Sequence, residues 1–219
     1  MVTEYHGPHN LSKIINRLPV KFIGGRLCLD FVNTVGGRDH AGAVIRDKIA
    51  NYEDLLAWSV LAGCVDRRRA GKLARLAERE VPEAASVLPR GIRLRESLYR
   101  IFKCVVEGWR PPEADAEVLR HELSIARSHQ RLAAYDGRFA WTFPERPDTL
   151  DRILWLVPLS AAELLTSGDL SRLGQCRGGD CGWLFLDTSR NHRRQWCDMQ
   201  DCGNRAKVQK FRRKQRGLE

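Results

Sequence analysis

Apolar residues recur at helical spacing through most of the first 170 positions. Leu55, Leu56 and Val60 mark one face of a helix over 52–62, which Gly63 stops. Asp66 is placed to cap a second helix over 67–80, ended by Pro82. Leu94, Leu98, Ile101, Phe102 and Val105 form the stripe of a longer helix over 91–107, closed by Gly108 and the pair Pro111-Pro112. Residues 113–129 are again amphipathic, and 148–166 return to helix before Gly168. Two stretches change period. Residues 19–30 alternate around Gly24-Gly25 and predict a hairpin, although Leu29, Phe31 and Val32 also fit the start of a helix running into Asn33. Residues 131–135 and 138–143 flank Asp136-Gly137, the turn pair that favours a tight hairpin. The pattern is α+β: a predominantly helical N-terminal domain, residues 1–170, with one or two short β-hairpins.

The pattern changes after residue 170. Cys176 and Cys181 are separated by four residues, Cys197 and Cys202 by four more, with fifteen between the pairs. Four soft thiolates arranged as two clips suit one tetrahedral Zn2+ ion. A segment this short cannot bury enough apolar surface to fold by itself, so metal binding and folding are linked. Residues 183–187 read as a short strand after the first clip, and 188–194 as a polar loop leading back. Asp198 and Asp201 suit an N-cap and first turn, with a helix continuing to Arg216. Clip, hairpin and helix is the order of a treble-clef zinc finger, here residues 171–219. His192 lies between the clips, but four thiolates already complete a closed structural site, so this metal is not expected to catalyse.

Composition narrows the class. The chain has 219 residues, 43% hydrophobic and 29% charged, as in a globular protein. No apolar run is long enough to cross a bilayer, and the first residues lack the basic and apolar regions of a signal peptide, so the expected location is cytoplasmic, with no membrane partner. Seven cysteines is an odd number; Cys28, Cys64 and Cys104 sit among apolar neighbours and read as buried reduced thiols rather than disulfide partners.

Charge points to a partner. From Arg172 onward twelve Lys or Arg face five Asp or Glu, so +7 of the net +10 lies in under a quarter of the chain. That asymmetry fits a polyanion, double-stranded DNA first. On the terminal helix, at about 100° per residue, Arg205 and Arg212 share one line, Lys207 and Lys210 another, and Arg213 lies between. Val208 and Phe211 fall on the remaining arc, expected to face the zinc core. Arg190, Arg193 and Arg194 add a basic cluster on the loop. Trp183, Phe185 and Trp196 read as core rather than as stacking platforms for RNA.

In the N-terminal domain Asp30 and Asn33 interrupt an apolar run, and Arg95 borders the apolar stripe of the longest helix. They suggest a pocket for an unknown small-molecule ligand, walled by Trp58 or Trp155; the competing reading is a structural ion pair or cap. No nucleophile elbow, phosphate-cradling loop or paired carboxylates stand out, so the chain reads as a non-enzyme. A zinc-stabilised adaptor binding protein partners is the alternative to a DNA-binding regulator. Nothing in the pattern specifies an oligomeric state.

The motifs carry a family resemblance. Cys176-x4-Cys181-Gly-Trp-Leu-Phe-Leu-Asp-Thr-Ser-Arg-Asn, then Arg194-Gln-Trp-Cys-Asp-Met, then Cys202-Gly-Asn-Arg205, resembles the CGNR zinc-finger family. The run Phe22-Ile-Gly-Gly-Arg-Leu-Cys-Leu-Asp-Phe-Val-Asn-Thr34, Leu55-Leu-Ala-Trp58 and Leu94-Arg-Glu-Ser-Leu-Tyr99 are similar to the ABATE-type domain that precedes such fingers. The resemblance spans nearly the whole chain. It implies a bacterial two-domain regulator of transcription, with a DNA-binding finger and an N-terminal domain that senses a ligand.

Overall fold

A computed structural model describes residues 11–38, 46–146 and 148–216. The helices are α1 (Leu11–Arg17), α2 (Leu27–Val32), α3 (Tyr52–Leu61), α4 (Arg67–Arg79), α5 (Val81–Glu107), α6 (Glu113–His129), α7 (Leu156–Thr166) and α8 (Asn204–Gln215). Three antiparallel pairs join them: β1 (Val35–Gly36) with β2 (Arg46–Asp47), β3 (Arg131–Tyr135) with β4 (Arg138–Thr142), and β5 (Leu173–Gln175) with β6 (Leu184–Leu186). The α+β, mostly helical architecture expected from the pattern is the one observed.

Caps set several boundaries. Asn51 accepts a hydrogen bond from the Asp54 N–H, and Asp66 from that of Arg69, each satisfying a first-turn donor. Gly108, left-handed at φ 73°, closes α5. Asp136 and Gly137 both have positive φ, 48° and 73°, as a two-residue hairpin turn requires.

Three expectations need correction. Residues 19–30 form no hairpin: the chain passes through an irregular loop into α2, and the Gly24 carbonyl accepts from the Leu186 N–H instead. The Gly24 position has no room for a side chain, since a Cβ there would lie 2.7 Å from that of Leu29. Helix α5 starts at Val81, not near Gly91, because Pro82 suits a first turn, whose N–H groups are unpaired in any case. Pro89 lies inside it, and Gly91 marks a close crossing, where a Cβ would meet Leu154 at 3.1 Å and Leu55 at 3.3 Å. Finally, 148–166 is a 3-10 turn (Leu150–Leu154) followed by α7, not one continuous helix.

The core is built around α5. Leu94, Leu98 and Phe102 are fully buried against Leu29, Leu55, Leu56 and Trp58, and Phe31 packs on Trp58 with ring centres 4.8 Å apart. Leu184 and Leu186 of β6 belong to this same core. Cys28 is buried within it and Cys64 at its edge, and burial pushes both thiols up to about 12, which keeps them protonated and unreactive.

Candidate metal centre and basic surface

Strands β5 and β6 form a hairpin whose connection is the first cysteine clip, so the clip lies inside the hairpin rather than before it. Cys176 N–H donates to the Trp183 carbonyl and Cys181 N–H to that of Gly178, turning both sulfurs inward. The second clip enters a helix. Asp198 caps it by accepting from the Gln200 N–H, a π-helical turn spans Met199–Gly203, and α8 continues from Asn204.

All four cysteines are buried, and their sulfurs lie within 4.8 Å of one another. Cys197 is 3.6 Å from both Cys181 and Cys202, too far for a disulfide and close to the edge of about 3.8 Å in a tetrahedron with Zn–S bonds of about 2.3 Å. Gly178 is part of the cradle: a Cβ there would sit 3.2 Å from the Cys202 sulfur. The donor set suits one zinc ion. Without a cation the crowding is self-opposing, since hydrogen bonds to the Cys176 thiolate, first among the causes, push the Cys181 and Cys197 thiols up. Cys176, Cys181, Cys197 and Cys202 would hold the ion as thiolates, and zinc bound there would tie the two clips together.

Two predicted nucleic-acid contacts lie within the finger's own framework. The Arg205 guanidinium donates to the Cys202 sulfur at 3.0 Å and pairs with Asp180 and Asp201 at 3.6 Å and 3.4 Å. Arg194 stacks 4.3 Å above Phe185 and donates to the carbonyls of Trp196, Leu186 and Cys197. Buried Asp187 accepts from the Arg194 and Ser189 N–H groups, which shapes the loop. The short Asp187-Thr-Ser189 spacing is a turn signature that carries this role in the sequence.

The remaining predicted cations differ. Arg190, Arg193, Lys207, Lys210, Arg212 and Arg213 are all exposed, and no ion pair among the described residues engages them. Arg205, Arg212, Arg213 and Arg216 line a groove of about 620 Å³ between α8 and the first clip. Val208 and Phe211 do not face the zinc core: they are 48% and 62% exposed, and α8 buries no residue. Amphipathic spacing alone does not bring a helix against a core whose metal already anchors the helix start.

Asp30, Asn33 and Arg95 do not converge on one pocket. Asp30 accepts from the Gly24 N–H at 2.8 Å, and burial raises its carboxyl to about 6. Asn33 makes a reciprocal pair with Leu184, donating to its carbonyl at 2.8 Å and accepting from its N–H at 2.9 Å. Arg95, 2% exposed, holds Asp47 with two bonds of 2.8 Å and 2.6 Å and also reaches Thr34 and Glu96. Burial would push the Asp47 carboxyl up, but the Arg95 hydrogen bonds overcome it and hold that group below its usual range. Trp58 is buried against Phe31 and Trp155 against His129, so neither opens a wall to ligand.

A cleft of about 600 Å³ lies between the helical body and the finger, lined by Lys21, Arg46, Asp47 and Lys48 on one side and by Trp183, Asp201, Arg205 and the metal cysteines Cys181, Cys197 and Cys202 on the other. Lys48 sits 4.6 Å over the Trp183 ring, whose N–H donates to the Val35 carbonyl. The sequence carried no signal for this cleft, because its two walls are far apart in the chain.

A helical body joined through a shared apolar core and a few hydrogen bonds to a four-thiolate site with a basic terminal helix defines a two-part zinc-finger protein. Two protein-family models match the chain accordingly. One, ABATE, described as "Putative stress-induced transcription regulator", covers residues 25–168, and the other, the CGNR zinc finger, covers residues 172–215. The chain belongs to the ABATE family and carries a CGNR zinc finger. No curated protein matches it.

Proposed function

We propose that the protein is a non-enzymatic, DNA-binding regulator of transcription, in which α8 and the loop at 188–193 grip duplex DNA through its phosphates. The observation that carries this reading is the unpaired, exposed cation set on Arg190, Arg193, Lys207, Lys210, Arg212 and Arg213. An ordinary solvated face mixes signs; beyond Asp201, α8 holds no acid. Arg194 and Arg205 contribute by fixing the loop and the start of the helix. Four thiolates close the zinc shell, so the metal orders these elements and offers no open position for chemistry.

A gel-shift series of the zinc-loaded protein across salt concentrations tests this. Five phosphate contacts give a log–log slope of about −4.5, and each cation removed by Lys207→Ala, Lys210→Ala or Arg213→Ala flattens it by about 1. Absent or salt-insensitive binding sinks the reading and favours the adaptor alternative.

The sensing role belongs at the Lys48–Trp183 cleft rather than at Asp30, Asn33 and Arg95, which are already satisfied within the fold. A small anion held by Lys48, the lining cation that no ion pair among the described residues engages, would touch both body and finger, and so would bias DNA affinity. Repeating the shift series with inorganic phosphate and with citrate tests this. An anion that binds without moving DNA affinity, or binds equally well to Lys48→Met, rules the cleft out.

A further inference from the structure

The β3–β4 hairpin projects from the end of α6, and its two strands pack chiefly on each other. Its register places Leu132 opposite Trp141 and Ala134 opposite Phe139, so these four side chains share one face. That face is apolar and open: Leu132 is 56% exposed, Phe139 73% and Trp141 62%. It runs into a groove of about 810 Å³ between α6 and α7, which Trp141 borders and Leu27, Leu123, Leu156 and Leu159 line, all four half-buried. A two-stranded hairpin alone is marginal in water, and an exposed apolar arm invites aggregation unless something covers it.

We propose that a second copy of this chain covers it. The patch carries both a knob, Phe139 with Trp141, and a leucine-lined socket beside it, so one two-fold axis seats each arm in the other's groove. Charge agrees: Arg138 at the hairpin turn and Glu163 at the groove are both exposed, and neither has an ion-pair partner among the described residues. Two aromatic side chains that bury about 150–250 Å² each, together with the leucines, reach the order of the roughly 800 Å² per partner that stable complexes use. The dimer would present two α8 helices to the duplex, so that the second finger binds from a raised local concentration.

Sedimentation velocity of the zinc-loaded full chain over a micromolar concentration series tests this, with solution mass as the readout and no use of DNA. We expect a dimer. Phe139→Glu with Trp141→Glu raises its dissociation constant at least about 30-fold, with zinc content and thermal midpoint unchanged, because neither side chain is part of the core. Arg138→Glu weakens the dimer, and adding Glu163→Arg restores it. A wild-type monomer throughout the series, or a dimer that survives the folded double variant, overturns the proposal. A failed dimer leaves the DNA reading standing, since that is measured separately by its salt slope.

Discussion

Arg205 ends the Cys-Gly-Asn-Arg signature, and its guanidinium lies on the Cys202 sulfur rather than free above the helix. A donor to a metal-bound thiolate stabilises its charge and fixes its direction. Arg205→Ala should therefore lower zinc affinity by about 10- to 100-fold in a chelator competition, while the salt slope of DNA binding at saturating zinc stays close to wild type. A lost increment of slope with zinc affinity unchanged would show Arg205 to be a phosphate contact instead. Asp30 makes a second residue-level case. Burial raises its folded carboxyl to about 6 from an ordinary value near 3.8, so the folded chain holds this proton where the unfolded chain has released it. The stability it contributes is present at low pH and lost as pH rises through about 6. Asp30→Asn, which keeps an acceptor for Gly24 N–H, should raise the thermal midpoint relative to wild type at pH 7.5 and give little gain at pH 4.5. An equal effect at both values would refute the assignment. The four cysteines were legible because their chemistry is written in their spacing. The partners of Asp30, Asn33 and Arg95 were not, since each lies on a segment remote in sequence and nothing local encodes the meeting.

Among the elements, β6 stands out because it belongs to two cores. Leu184 and Leu186 pack with Leu29 and Phe31 of α2, whereas Phe185, pointing the other way, packs among the metal cysteines. Stripping zinc should then affect the finger unequally. In hydrogen exchange, amides of 199–215 should lose protection, because α8 buries nothing and depends on the metal for its start. Those of β5 and β6 should stay protected, held by Asn33, the Gly24 carbonyl and the main core. Uniform loss across 173–215 would mean that the finger folds as one unit with its metal. Helices α3 and α4 were readable from caps and period, and α6 from period alone. The loop at 19–30 was not, because its backbone pairs with a strand more than 150 residues away, and a local alternation cannot distinguish that from a hairpin.

For the whole molecule, charge is the quantity that organises behaviour. The net +10 is concentrated at one end, while the helical body nearly balances its own charge and holds several of its cations in ion pairs, as in Arg90 with Glu122 and Asp151 and Arg100 with Asp115. The sequence showed that imbalance, but not the cleft, the exposed arm or the way Arg194 turns inward, which appear only once distant segments are packed. The bonds from Asn33 to Leu184, from Leu186 to Gly24, from Trp183 to Val35 and from Gly37 to Cys181, with the Lys21–Asp198 ion pair, tie the finger to the body at several points. The zinc finger therefore has no swivel at its root: it points wherever the body points. On the proposed reading, a signal arriving at the body would reorient both together or else pry apart the bonds that weld them, and a mutation along that seam should uncouple sensing from grip without touching either.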